Sequence, residues 1–224
     1  MKAVIWDLDG TLIDTPRVIV DTAAHVLREL GRAEIDADAI RAGIGLPLPV
    51  ALGALLELPP DSAVVGEAVE RYRVHWRAVV NPHINALVFP GVLQGVQALH
   101  ARGIRQAVAT GKAQSGADAN VDLAGLRPFM EVVAGYDRVP HPKPAPDLAL
   151  LILGELQLTA VDAVVVGDTT HDLLMARSAG VRSVGVTYGA MEEATLRSAD
   201  PTWVAHSFAE VMRILLDLAT LEGP

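Results

Sequence analysis

Cysteine is absent from this chain of 224 residues. Disulfides, thiolate metal sites and a cysteine nucleophile are therefore excluded. No apolar run is long enough to span a bilayer, so no membrane partner is expected. There is no run of lysine and arginine either. The 27 acidic side chains outnumber the 18 basic ones, giving a formal net charge of -9. That balance argues against nucleic acid and against an anionic membrane surface. It leaves a phosphorylated substrate open, because one divalent cation and a few lysines or backbone N–H groups reverse the local field. Internal repeats and low-complexity segments are also missing. Met1-Lys2-Ala3-Val4-Ile5-Trp6-Asp7 meets acid too early for a signal peptide, so the expectation is a cytoplasmic protein, a monomer or homodimer.

What is present is apolar material: 51% of the residues, ample for the core of one domain carrying a smaller inserted one. Ala3 to Leu8 is a short apolar run ending in acid and Gly10, and predicts a buried strand followed by a turn. From Arg17 to Leu30 apolar residues recur at helical spacing, with Gly31 as the stop. Further helices are expected over Asp36 to Arg41, Pro49 to Glu57 and Asp61 to Val80, with no strand between Asp14 and Asn81. Beyond Pro90-Gly91 the pattern alternates. Strands are expected at Arg105 to Ala109, Glu131 to Ala134, Ala163 to Val166 and Ser183 to Val186. Helices are expected at Val92 to Ala101, after Ser115, and at Pro146 to Glu155, Asp172 to Ala179 and Ala209 to Leu218.

Short apolar strands alternating with helices predict an α/β fold, a Rossmann-like parallel sheet with helices on both faces. The helical stretch after the first strand is too long for a crossover. It reads as a small inserted all-helical cap over 15–82, leaving 1–14 and 83–224 as the catalytic core.

Ligands of open parallel sheets bind at the carboxyl ends of the strands, and four strand ends carry chemistry. In Asp7-Leu8-Asp9-Gly10-Thr11 the two acids stand two apart, which on a strand aims them to one side. One could attack phosphorus while the other handles a proton; turn and cap acids are the plainer alternative. In Ala109-Thr110-Gly111-Lys112 a hydroxyl and a glycine N–H suit a phosphoryl oxygen, although such loops are common. This is not a Walker A loop, since Gln106 and Ala113 stand where that motif needs Gly and Ser or Thr. In His141-Pro142-Lys143-Pro144-Ala145-Pro146 alternate prolines stiffen the backbone around one lysine, which serves either a phosphoryl group or only solvent. In Gly167-Asp168-Thr169-Thr170-His171-Asp172 two acids at the start of a helix suit magnesium, and Asp172 also suits N-capping. His171 is expected in an exposed loop. Paired acids, a hydroxyl, a lysine and a second acid pair, one at each of four strand ends, amount to equipment for phosphoryl transfer.

These segments resemble, in order and spacing, the four motifs of the haloacid dehalogenase-like superfamily, and within it the phosphoglycolate phosphatase-like branch. The resemblance covers almost the whole chain. It implies that Asp7 is the nucleophile of an aspartyl-phosphate pathway and that Asp9 is the acid and base. Thr110 and the Gly111 N–H would hold phosphoryl oxygens, and Lys143 would neutralise charge on Asp7 and the phosphate. Mg²⁺ would lie on Asp7, the Asp9 carbonyl and Asp168, with Asp172 in support. Many relatives carry Asn where this chain has Gly111. In the cap, Gly45-Leu46-Pro47 falls where relatives place a substrate loop, and it reads equally as a turn between helices.

The resemblance implies a phosphoric monoester hydrolase acting on a small phosphorylated metabolite, phosphoglycolate-like or a sugar phosphate. A sugar phosphomutase, a pyrophosphatase or a nucleotidase of the same superfamily would keep the same acids. A non-enzymatic phosphoacceptor of the receiver type would be shorter and uncapped. Cap arginines Arg17, Arg41, Arg71, Arg73 and Arg77 would meet a substrate carboxylate or only solvent.

Overall fold

A computed structural model describes residues 1–32 and 34–221. Its centre is a six-stranded sheet built from β1 (Ala3–Trp6), β2 (Arg105–Ala109), β3 (Val132–Ala134), β4 (Ala163–Gly167), β5 (Arg182–Val186) and β6 (Trp203–Ala205). The spatial order is β3-β2-β1-β4-β5-β6, and every pairing is parallel.

Continuous apolar runs form these strands because both faces of the sheet are covered. Val4 and Trp6 of β1, Val108 of β2 and Val164 and Val166 of β4 enter one apolar cluster. Their neighbours Ala3, Ile5, Ala107, Ala109, Ala163 and Val165 enter the other. Helices α5 (Val92–His100) and α10 (Phe208–Leu221) contribute to the first side through Val96, Leu99, Val211 and Leu215; α7 (Asp147–Glu155) contributes to the second through Leu148 and Ile152.

Between β1 and β2 the regular elements are helical: α1 (Pro16–Glu29), α2 (Ala37–Ala42), α3 (Leu48–Leu56), α4 (Ala63–His75), a π-helical turn Trp76–Val80 and a 3-10 stretch Asn81–Leu87. Pro16 opens α1, and Gly31 at φ 81° stands just past its end. The chain leaves and re-enters the sheet region side by side. The Asp14 N–H donates to the Leu87 carbonyl at 2.7 Å and the Phe89 N–H to the Leu12 carbonyl at 3.1 Å, with Ile13 and Val88 bridged antiparallel.

Three local expectations change. β1 stops at Trp6, so Leu8 and both acids lie in the loop beyond it. Helix α8 (Thr170–Ser178) begins two residues earlier than Asp172, because Thr169 caps it. His171 is therefore a half-buried helical residue and not an exposed loop one. Helices α6 (Gln114–Leu123) and α9 (Glu193–Arg197) complete the set, and α9 and β6 carry no sequence signal that announced them.

Ile152 is wholly buried, whereas Val161 is 72% exposed. Ile152→Ala is expected to cost about 2–5 kcal/mol, and Val161→Ala no more than about 0.5 kcal/mol. Urea midpoints check this; equal shifts would contradict the layer assignment.

Candidate active site

The order of strands reverses between β1 and β4, and the loops after those two strands open the crevice there. Trp6 is in register with Val166, and the Asp7 N–H donates to the Val166 carbonyl at 2.8 Å. This places Asp7 beside Gly167 and Asp168. Lys143 reaches the same point from the proline-rich loop and is 2% exposed. Its Nζ donates to Asp7 Oδ1 at 2.7 Å and also to Asp172 Oδ1. The second oxygen of Asp172 accepts from the Thr169 N–H at 3.2 Å and from Thr169 Oγ1 at 2.6 Å. Capping of α8 and the hold on Lys143 are thus two uses of one carboxylate, and of the two sequence readings of Asp172 the capping one is realised.

Asp168 is fully buried. Thr11 Oγ1 donates to its Oδ1 at 3.1 Å, and the Ala190 N–H donates to its Oδ2 at 2.6 Å. Gly10, at φ 80°, lies so close that a Cβ there would collide with this carboxylate. The Tyr188 hydroxyl donates to the Thr11 carbonyl at 3.1 Å and steadies the same loop.

Asp9 faces the other way within the crevice. Its Oδ1 accepts from Thr15 Oγ1 at 2.6 Å, and its Oδ2 lies 3.0 Å from Lys112 Nζ. That ammonium also sits 4.1 Å from the centre of the Trp76 ring, a cation–π contact from core to insert. Thr110 is buried, and its Oγ1 accepts from the Lys112 N–H at 3.2 Å. A Cβ at Gly111 would strike the Gly45 carbonyl. Any side chain at this position would meet the loop at Gly45 and Leu46. Gly45 and Leu46 line the same cavity as Asp7, Asp9 and Thr110. Pro47 is set back as the residue that precedes α3.

Asp7, Asp168 and Asp172 each offer an oxygen within 4.8 Å of the others. Three buried carboxylates face one ammonium, so the cluster is short of positive charge. Burial above all pushes the Asp7 carboxyl up to about 7; Lys143 opposes this, and Asp172 and Asp9 add to it. Burial first, then Asp7 and Asp172, raises Asp168 well above the ordinary carboxylate range. Burial works against the Lys143 ammonium, but Asp172 and Asp7 outweigh it and hold the group above the ordinary lysine range. Hard oxygen donors with excess negative charge fit a divalent cation.

The sequence reading found Asp7, Asp9, Thr110, Gly111, Lys143, Asp168 and Asp172, and all of them meet at this end of the sheet. It quoted Thr11 and Lys112 without giving them work, and it missed Thr15 and Trp76, whose partners are visible only in three dimensions. Of the arginines in the helical stretch between β1 and β2, Arg73 and Arg77 line the cavity. Arg71 pairs with Glu67 at 2.7 Å, and Arg17 lies 3.9 Å from Asp21.

A model of the haloacid dehalogenase-like hydrolase family matches residues 4–186, and the chain belongs to that family. It is an enzyme, a phosphatase of the phosphoglycolate phosphatase-like branch. It is 44% identical over 209 residues to a Dickeya dadantii protein named probable phosphatase IndB, covering 93% of this chain and 91% of that one. It is 32% identical to pyrophosphatase PpaX of Halalkalibacterium halodurans, over 96% of this chain and 97% of that one. It is 30% identical to a phosphoglycolate phosphatase of Nitrosospira multiformis, over 96% of each. Among solved structures, a haloacid dehalogenase-like family hydrolase from Streptococcus pneumoniae superposes with a TM-score of 0.78 at 27% identity, covering 96% of this chain and 98% of that one. Among the described residues no helix is long and apolar enough to cross a membrane.

The fold keeps the Asp7 proton up to about pH 7, whereas an unperturbed aspartate releases it near 3.8. The protonated carboxyl therefore contributes stability that is fully present below the lower value and is lost as pH rises through the upper one. In chelator, Tm is expected to fall between those values, and Asp7→Asn to flatten the fall. An undiminished fall in the variant would contradict the assignment.

Proposed function

We propose that the protein is a Mg²⁺-dependent phosphatase of small phosphate monoesters that works through a covalent phosphoryl group on Asp7. The observation that carries this reading is Lys143. A buried ammonium is bound to Asp7 at 2.7 Å and to Asp172, beside Asp168. Such a group is costly to bury and suits a site where negative charge arrives and grows.

In the first step an Asp7 oxygen attacks phosphorus. The ester P–O bond breaks, and Asp9 gives its proton to the departing alkoxide. In the second step Asp9 takes a proton from water, which attacks the same phosphorus. The bond to Asp7 breaks, releasing inorganic phosphate and restoring the Asp7 carboxylate and the protonated Asp9 carboxyl. Thr110 Oγ1 and the Gly111 N–H would donate to phosphoryl oxygens, and Lys143 would hold Asp7 in line while offsetting charge.

Asp7, Asp168 and the Asp9 carbonyl would hold Mg²⁺. Asp172, whose oxygens already serve Lys143 and Thr169, would support it from behind. When bound, the cation would supply charge neutralisation at the phosphoryl group. Residues 15–82 would act as a cap on the core 1–14 and 83–224, moving about the paired segments at Ile13 and Val88. The contact of the Gly45 loop with Gly111 supports this closure.

Phosphate release from a panel of esters, with 2-phosphoglycolate, sugar phosphates, nucleotides and pyrophosphate, is expected only with Mg²⁺. Asp7→Asn is expected to lower it about a thousand-fold or more. Release that survives in Asp7→Asn protein would overturn the reading.

A further inference from the structure

The cavity beside Asp7 and Asp9 has a volume of about 270 Å³. That is far more space than a two-carbon acid fills. It runs from the acids into the helical insert, where Ile19, Ile44, Leu48, Leu52 and Leu55 form its walls. One side is aromatic: Tyr72 and Trp76 stack with ring centres 5.7 Å apart and 15° between planes. Apolar walls of this kind recognise a substrate's body by burying it, and aromatic faces favour flat rings.

Charge in the cavity is largely committed elsewhere. Lys112 is held by Asp9 at 3.0 Å and Arg77 by Glu70 at 3.1 Å. Arg73 is the remaining cation in the lining, and it is half-buried. Three cavity-lining residues carry buried hydrogen-bonding atoms without a partner in the protein: Trp76 Nε1, Asn81 Oδ1 and Asn120 Nδ2. Two are donors and one is an acceptor. Unmet buried groups are uncommon because each is costly, and three of the four among the described side chains, His171 Nε2 being the fourth, belong to residues lining this cavity.

We propose that the alcohol esterified to phosphate in this enzyme's substrate is a bulky, uncharged, ring-bearing molecule whose ring has an apolar face and a hydrogen-bonding edge. Its flat body packs between the isoleucine and leucine walls, and its edge meets Asn81 and Asn120. This rests on the phosphatase reading and narrows it away from small carboxylates and pyrophosphate.

The test compares four compounds: 2-phosphoglycolate, pyrophosphate, benzyl phosphate and uridine 5′-monophosphate. Each is ranked by kcat/KM on the wild-type enzyme with Mg²⁺ and by Kd on Asp7→Asn protein, so that slow chemistry does not hide binding. The ring with a polar edge is expected to lead the small anions by about ten-fold or more in both rankings, with benzyl phosphate between. Leu55→Trp, which fills the slot, is expected to raise KM for the ring esters more than for 2-phosphoglycolate, with kcat moving less. Preference for 2-phosphoglycolate or pyrophosphate, lost in Arg73→Gln, would overturn the proposal while leaving the phosphatase intact. Absence of phosphate release from all four would overturn the phosphatase reading, and the Kd ranking would still uphold or overturn this one.

Discussion

An ammonium group that is all but removed from water survives only in the company of anions, and Lys143 has two. Desolvation would otherwise strip its proton or unfold its loop. The pairing sets terms for everything nearby. It requires Asp7 and Asp172 to approach each other, which is unfavourable for like charges unless a cation lies between them. Lys143 satisfies part of that demand, and Asp168, carrying a third buried carboxylate, leaves the rest unmet. The shortage of positive charge is a property of the folded chain alone, and it is what a phosphoryl group's cation would relieve.

Backbone architecture makes this concentration of charge affordable. Strands β1 and β4 are neighbours with Trp6 opposite Val166, so the residues after them must emerge side by side. Gly10 lets the first loop turn close against Asp168. Thr169 caps α8 through the carboxylate that also holds Lys143. Caps, turns and charges are shared among the same few side chains. Removing one therefore disturbs local structure and chemistry together, and the apolar sheet beneath supplies the rigidity that keeps them apart from water.

Much of this was legible in the sequence because phosphoryl transfer restricts residue type at strand ends. Asp7 with Asp9, and Asp168 with Asp172, are short-range signals that need no knowledge of the fold. Lys143 was readable as a stiffly held cation, and the resemblance set it beside Asp7, 136 residues away in sequence, but its second partner Asp172 was not readable. Lys112 was visible beside Thr110 and Gly111, yet its pairing with Asp9 and Trp76 joins residues distant in sequence. Gly111 in place of Asn was legible, but not the Gly45 carbonyl that a side chain there would meet. Strand β6 escaped because Trp203–Ala205 is short and only half-buried, without the continuous apolar run that marks the equally short β3. Asn120 stands far along the chain from Trp76 and Asn81, and no motif gathers the orphaned atoms of the three.

The account stands on Asp7 taking the phosphoryl group while Lys143 holds it in line. The most direct measurement is an acid quench during turnover of a ³²P-labelled ester, followed by mass spectrometry of the proteolysed chain. The account predicts an acid-stable, hydroxylamine-sensitive label on the peptide carrying Asp7, absent from Asp7→Asn protein. Turnover with the label on another side chain, or with Asp7→Asn still labelled, would contradict it.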